Sequence, residues 1–213
     1  GVTIRAFRNG NAHLIFDREA QTVINRALAE FYGDVLPDMP EEAPTRRAST
    51  AVSADLAYYP TPEAIAAHVA GSVSWQDGAK VLEPSCGCGR LMDALHARRE
   101  RLLVTGVEYD PTRAAQARAK GHPVQTANFL QVAPQQIFDG VVMNPPFVGR
   151  HYLKHIRHAL KFLRPRGVLV AILPASAWYD HGELPKGGWE DLPVASFAES
   201  GTNVPTGIYT TTA

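Results

Sequence analysis

From residue 58 onward, short apolar runs alternate with stretches whose apolar positions recur every three or four residues. The runs are Val81-Leu82, Leu102 to Val107, Val124 to Thr126, Val141 to Met143 and Val168 to Leu173. Such short runs suit strands buried on both faces. Helical spacing falls at about 90–99, 111–120 and 151–163. In the last of these, Leu153, Ile156, Leu160 and Leu163 form an apolar face opposite Lys154, Arg157, His158 and Lys161. Ahead of them, YYPTPEAIAAHVA predicts a helix capped by Thr61, with Pro62 first and Ile65, Ala66 and Val69 facing inward. This alternation predicts parallel strands joined by crossover helices, a doubly wound α/β sheet. Its ligand site is expected at the carboxyl ends of the strands, at the switch in strand order. The tail DLPVASFAESGTNVPTGIYTTT reads as two further β segments around Gly201.

Before residue 58 the pattern differs. Residues 4–16 read as a β-hairpin turning at Asn9-Gly10. Asp17 is placed to cap a helix with Val23, Ile24, Ala27, Leu28 and Phe31 on one face, ending near Gly33. The expected organisation is an N-terminal appendage over 1–43, a linker over 44–57 and the main α/β domain over 58–213.

Composition narrows the classes. No apolar run reaches the roughly 18 residues of a membrane span. The two cysteines, in Cys86-Gly87-Cys88, are too close for an ordinary disulfide and too few for structural zinc, which suggests a reducing, cytoplasmic setting. Acidic and basic residues number 21 each, so tight nonspecific nucleic-acid binding needs a local patch.

The chemistry sits where the strands end. In VLEPSCGCGRL, Gly87 and Gly89 let the backbone approach a ligand, although a G-x-G turn alone is weak evidence. Glu108 closes the next strand, in VTGVEYDP, where a carboxylate can accept ribose hydroxyls or simply face solvent. VVMNPPF ends a buried strand with a polar amide, two prolines and an aromatic, whereas stopping a strand needs only one proline.

Together YPTP, EPSCGCG, GVEYDP and NPPF resemble class I S-adenosylmethionine-dependent methyltransferases. More narrowly they resemble the amino-methyltransferase branch that includes DNA adenine-N6 enzymes. The resemblance spans about 55–213, and ESGTNVPT is similar to that family's paired last strands. The RNGNAHLIF segment resembles phage- or mobile-element-borne proteins fused to such domains. The resemblance implies a Rossmann-like, mostly parallel seven-stranded sheet with an antiparallel last strand and helices on both faces. It implies S-adenosylmethionine as cofactor. Tyr59, Thr61 and Pro62 fall near its methionine end, and Glu83, Pro84, Ser85, Cys86, Gly87 and Gly89 line the glycine loop. Glu108 holds the ribose, Tyr109 packs on adenine, and Asn128-Phe129 contact the adenine amine and ring, with Asn128 where the family usually has an acidic residue.

NPPF also has a chemical reading. An aromatic amine is a poor nucleophile because its lone pair is delocalised. The side-chain oxygen of Asn144 and the carbonyl of Pro145 offer two acceptors for its N–H groups, and Pro145 and Pro146 fix the backbone. Phe147 offers a stacking face for a base taken out of its helix. Arg150 and His151 follow at once and are candidates for a phosphate. No metal is expected from His151, His155 and His158. The implied partner is nucleic acid, DNA first, with no membrane. No separate target-recognition domain is visible, which leaves room for a partner subunit. The alternatives are another planar amine (guanine N2 in RNA or a protein glutamine amide) and a noncatalytic binding subunit.

Overall fold

The computed structural model describes residues 1–6, 12–17, 19, 20, 23, 59–99, 101–147, 150–179 and 182–213. The chain divides into two compact units, Gly1–Ser53 and Ala54–Ala213. In the first, β1 (Val2–Ala6) and β2 (Ala12–Phe16) pair antiparallel, with Val2 opposite Phe16 and Ala6 opposite Ala12. Asp17 Oδ1 accepts from the Ala20 amide at 2.9 Å, as a helix N-cap does. The expected turn at Asn9-Gly10, most of the expected helix and the 44–57 linker lie outside the described residues.

The second unit is built on seven strands: β3 (Lys80–Glu83), β4 (Leu103–Glu108), β5 (Val124–Thr126), β6 (Phe138–Met143), β7 (Leu163–Pro174), β8 (Gly188–Asp191) and β9 (Thr206–Thr212). Their order is β5-β4-β3-β6-β7-β9-β8. Neighbours from β5 to β7 run parallel, and β9 runs antiparallel to both β7 and β8. The expected sheet is therefore present, and the strand order switches between β3 and β6.

The strand period of two divides the buried side chains between two cores. Val81, Val142, Val170 and Ile172 enter one. Leu82, Val141, Met143, Leu169, Ala171 and Leu173 enter the other. Helices α1 (Glu63–Gly71) and α2 (Arg90–Arg98) cover the first core with Ile65, Ala66, Val69, Leu91, Met92 and Leu95. After α3 (Pro111–Ala119), helix α4 (His151–Ala159) covers the second core with Tyr152, Leu153, Ile156 and Ala159. Full burial of one such aliphatic side chain contributes roughly 1.5–3 kcal/mol. Gly140 is required by close approach: a Cβ there would lie 2.1 Å from the Trp75 ring.

Three local expectations are corrected. Thr61 does not cap α1; Pro62 holds the cap position with extended backbone, and the Thr61 hydroxyl turns to Asn144 instead. The last helical stretch stops at Ala159, a 3-10 turn spans Leu160–Phe162, and β7 already starts at Leu163. The first tail strand is β8 at Gly188–Asp191; residues 194–200 form turns that Gly201 closes at φ 86°. Between β7 and β8, the helix among the described residues is the short α5 (Ala175–Tyr179).

Candidate active site

A cavity of about 380 Å³ opens at the carboxyl ends of β3, β4, β5 and β6. Ligand sites of this fold lie at that switch in strand order. The loop after β3 forms its floor. Cys86 N donates to Val107 O at 3.0 Å, and Gly89 N donates to Cys86 O at 2.8 Å. Gly87 and Gly89 both take positive φ, at 52° and 86°. Gly87 lines the cavity but Gly89 does not. Gly89 instead rests on His122, whose Cδ2 would be 2.9 Å from an added Cβ. Asp93 holds that imidazole at 2.6 Å.

Two carboxylates face the cavity in different states. Glu108 Oε2 accepts from Gly87 N at 2.8 Å, and Oε1 accepts from Asp110 N at 2.9 Å. Arg113 adds Nε at 3.2 Å and Nη2 at 3.1 Å. Glu108 thus clamps the glycine loop to the start of α3, and its Oε2, with Gly87 N as its one hydrogen-bond donor among the described residues, keeps acceptor capacity toward the cavity. Glu83 is buried, and its Oε2 has no hydrogen-bond partner. Burial, and then the nearby Glu108 charge, push its carboxyl well above the usual range, against a smaller pull from the Met92 amide. Arg90, the first residue of α2, also lines the cavity and donates from Nη1 to the Thr61 carbonyl at 3.1 Å.

The amide of Asn144 is oriented by its neighbours. Its Nδ2 donates to the Tyr59 carbonyl at 3.3 Å and to Thr61 Oγ1 at 3.1 Å. A carbonyl can only accept, so the nitrogen must face Tyr59 and Oδ1 is left as the acceptor. Pro145, Pro146 and Phe147 continue the same wall, with Phe147 packed against the first core.

Further round the wall, Asn128 Oδ1 accepts from Leu130 N at 3.1 Å and caps the turn Phe129–Gln131. Its oxygen therefore already has a partner. Phe129 is buried among His158, Phe162 and His155, with ring centroids at 4.8, 5.2 and 5.7 Å. Tyr109 stands at the rim, 73% exposed. Burial, and then His151 and His158, pull the His155 imidazole down to about 4.

Of the expected residues, Tyr59, Thr61, Glu83, Pro84, Ser85, Cys86, Gly87, Glu108, Tyr109, Asn128, Phe129, Asn144, Pro145, Pro146, Phe147 and His151 line this cavity. Pro62, Gly89 and Arg150 do not. Arg150 pairs with Glu183 at 2.7 Å. Arg90, Arg113 and His155 line the cavity but escape the motif reading. Helical spacing carries the signal for two of them: Arg90 opens the helix after the glycine loop, and His155 lies one turn after His151. Cys86 and Cys88 are free thiols, and burial pushes the Cys86 thiol up. Among the described residues, no cluster of three or more His, Cys, Asp or Glu is arranged to hold a metal ion, and no helix is long and apolar enough to cross a membrane.

Known proteins share this fold. A trans-aconitate 2-methyltransferase from Rhodopseudomonas palustris is 35% identical over 102 residues, covering 46% of this chain. The chain spans only about 40% of that relative's length. A modification subunit of a putative type I restriction enzyme from Vibrio vulnificus superposes with a TM-score of 0.62 at 13% identity, covering 93% of this chain and 50% of that one. TYW2 from M. jannaschii, solved in complex with AdoMet, superposes with a TM-score of 0.53 at 15% identity, covering 69% of this chain and 73% of that one. Both structures share the fold. A family model described as an uncharacterised methyltransferase family (DUF6094) matches residues 25–173, a span that holds the glycine loop, Glu108 and Asn144–Phe147. The chain belongs to this methyltransferase family.

Proposed function

We propose that this protein uses S-adenosylmethionine to methylate an exocyclic amine, adenine N6 in DNA first among the candidates. The observation that carries the proposal is the orientation of Asn144. Tyr59 and Thr61 hold its nitrogen, which leaves Oδ1 as the acceptor. Two acceptors on one amine, Asn144 Oδ1 and the Pro145 carbonyl, would favour a pyramidal nitrogen with a localised lone pair. Phe147 supplies a stacking face for the ring that carries the amine.

The residues present fit the cofactor. The cavity has the volume of a small-molecule site. Glu83 is a buried carboxylate with an unpartnered oxygen, suited to an ammonium group. Arg90 retains donors beyond the one given to Thr61, suited to a carboxylate. These two would hold the amino-acid end, and the loop at Gly87, fixed by Glu108, would lie beneath the sugar. When bound, the cofactor supplies an electrophilic methyl group on sulfur. No general base is needed before attack, because the amine becomes acidic only once alkylated.

The test is nucleoside mass spectrometry on DNA and RNA incubated with the protein and labelled cofactor. Labelled N6-methyladenine in DNA is the expected product. Label on guanine N2 of the RNA, or on glutamine amides of a protein substrate incubated alongside and read by peptide mass spectrometry, would keep the amine chemistry and change the substrate. Absence of label in all three would overturn the proposal.

A further inference from the structure

Helix α4 leaves the NPPF wall and carries a basic ridge that packing does not explain. No acidic residue lies between Asp139 and Asp180, while Arg150, Lys154, Arg157, Lys161, Arg164 and Arg166 all do. This asymmetry stands in a chain whose acidic and basic residues are equal overall, at 21 each. The buried face of α4 is filled by Tyr152, Leu153, His155, Ile156 and Ala159. His151, Lys154, Arg157 and Lys161 are exposed on the opposite side. Spacings of three and seven residues place His151, Lys154 and Lys161 along one stripe, Lys161 lying in the 3-10 turn that continues α4. His151 belongs to the cavity lining, so the stripe begins at the mouth of the site. It extends about 15 Å at the rise of an α-helix.

Among the described residues, the acids that meet this basic segment are already paired. Glu183 pairs with Arg150 at 2.7 Å and Arg157 at 4.0 Å, and Asp139 pairs with Arg164. Among the described residues, Lys154 and Lys161 have no acidic partner. The segment 129–138, which supplies Phe129 and Val132 to the same side, contains no Asp or Glu.

We propose that Lys154 and Lys161 form a track for the phosphodiester backbone of a nucleic-acid substrate, leading the strand to Asn144 and Phe147. This rests on the methyltransferase reading above and specifies that the substrate is a polymer, not a free small acid or nucleoside. Phosphate contacts of this kind position a strand without reading its bases.

The experiment measures anisotropy of labelled adenine-containing oligonucleotides, single- and double-stranded, over a salt series. Lys154→Glu/Lys161→Glu is compared with Arg98→Glu/Arg101→Glu, which changes net charge equally on exposed positions at and just beyond the end of α2, the helix that covers the other core. Calorimetry with S-adenosylhomocysteine serves as the fold control. The ridge variant should weaken oligonucleotide binding at least about tenfold and flatten the log–log salt slope by about 1.4–1.8, as expected for two lost phosphate contacts. The control pair should change binding far less. Equal effects of the two variants, or no effect of either, would overturn the track. A wild-type protein that binds oligonucleotides through the ridge but not S-adenosylhomocysteine would keep the track and sink the cofactor reading.

Discussion

The Asn144 amide donates to the Thr61 hydroxyl across 3.1 Å, linking the end of β6 to the residue two positions before α1. Thr61 thus sets which side of Asn144 is the acceptor, together with the Tyr59 carbonyl. Asn144→Ala should cut turnover by roughly 10²–10³-fold while leaving cofactor affinity nearly intact, because its acceptor matters most as the amine pyramidalises. Thr61→Val keeps the shape and removes the hydroxyl. It should lower kcat by about tenfold with a smaller change in KM. Steady-state kinetics beside cofactor titration separate the two effects. An Asn144→Ala enzyme at the unmodified rate would reduce NPPF to a strand terminator.

Arg90 should recognise a carboxylate. Arg90→Ala is expected to weaken S-adenosylhomocysteine by about 10- to 100-fold, the range for one charge-assisted hydrogen-bonding site. The decarboxylated analogue of that ligand should bind wild type and variant within about twofold, since the interaction is already absent. Arg90→Lys should recover part of the loss. Calorimetry on the four combinations makes the cycle. An equal penalty for both ligands would mean that Arg90 acts only by tethering Thr61.

His155 makes acid stability predictable in sign. Its folded value of about 4 lies below the ordinary 6.5, with burial the main cause and His151 and His158 adding to it. The unfolded chain therefore binds more protons between those values. Stability is present above about 6.5 and is lost as pH falls toward about 4, by up to about 3 kcal/mol. His155→Leu should flatten that limb of a urea-unfolding pH profile. An unchanged slope would place the acid sensitivity elsewhere.

Much of this arrangement was legible because period and punctuation agree. The apolar runs ending at Leu82, Val107 and Met143 announced parallel strands, and the polar or glycine-rich residues after them announced the site. What stayed hidden was long-range. The sequence offers Glu108 as a carboxylate at a strand end, but not that Gly87, Asp110 and Arg113 already occupy it. It offers Thr61 as a cap, whereas its hydroxyl serves a residue 83 positions away. Asn128 lines the cavity, and spacing alone does not show that its oxygen also caps its own turn. Each case is a polar atom choosing among partners, which spacing alone does not decide.

Glu83 couples stability against function. Its carboxyl is raised chiefly by burial and secondarily by Glu108, so the folded state holds this proton more tightly than the unfolded chain does. The sign follows: the contribution favours folding at low pH and is lost as pH rises through the folded value. Glu83→Gln keeps the shape and removes the ionisation, so the ligand-free variant should melt at a higher temperature than wild type near neutral pH. An ammonium group placed against Glu83 would favour its ionised form. Ligand binding by wild type should therefore release a proton, which calorimetry in buffers of different ionisation enthalpy detects, and affinity should rise with pH. The Gln variant should bind S-adenosylhomocysteine at least about tenfold more weakly, as expected when a charged hydrogen bond is lost. It should also release no proton from this position. A variant that binds as tightly as wild type, with the same proton release, would show that Glu83 answers only to the Met92 amide and that the amino group of the ligand is held elsewhere.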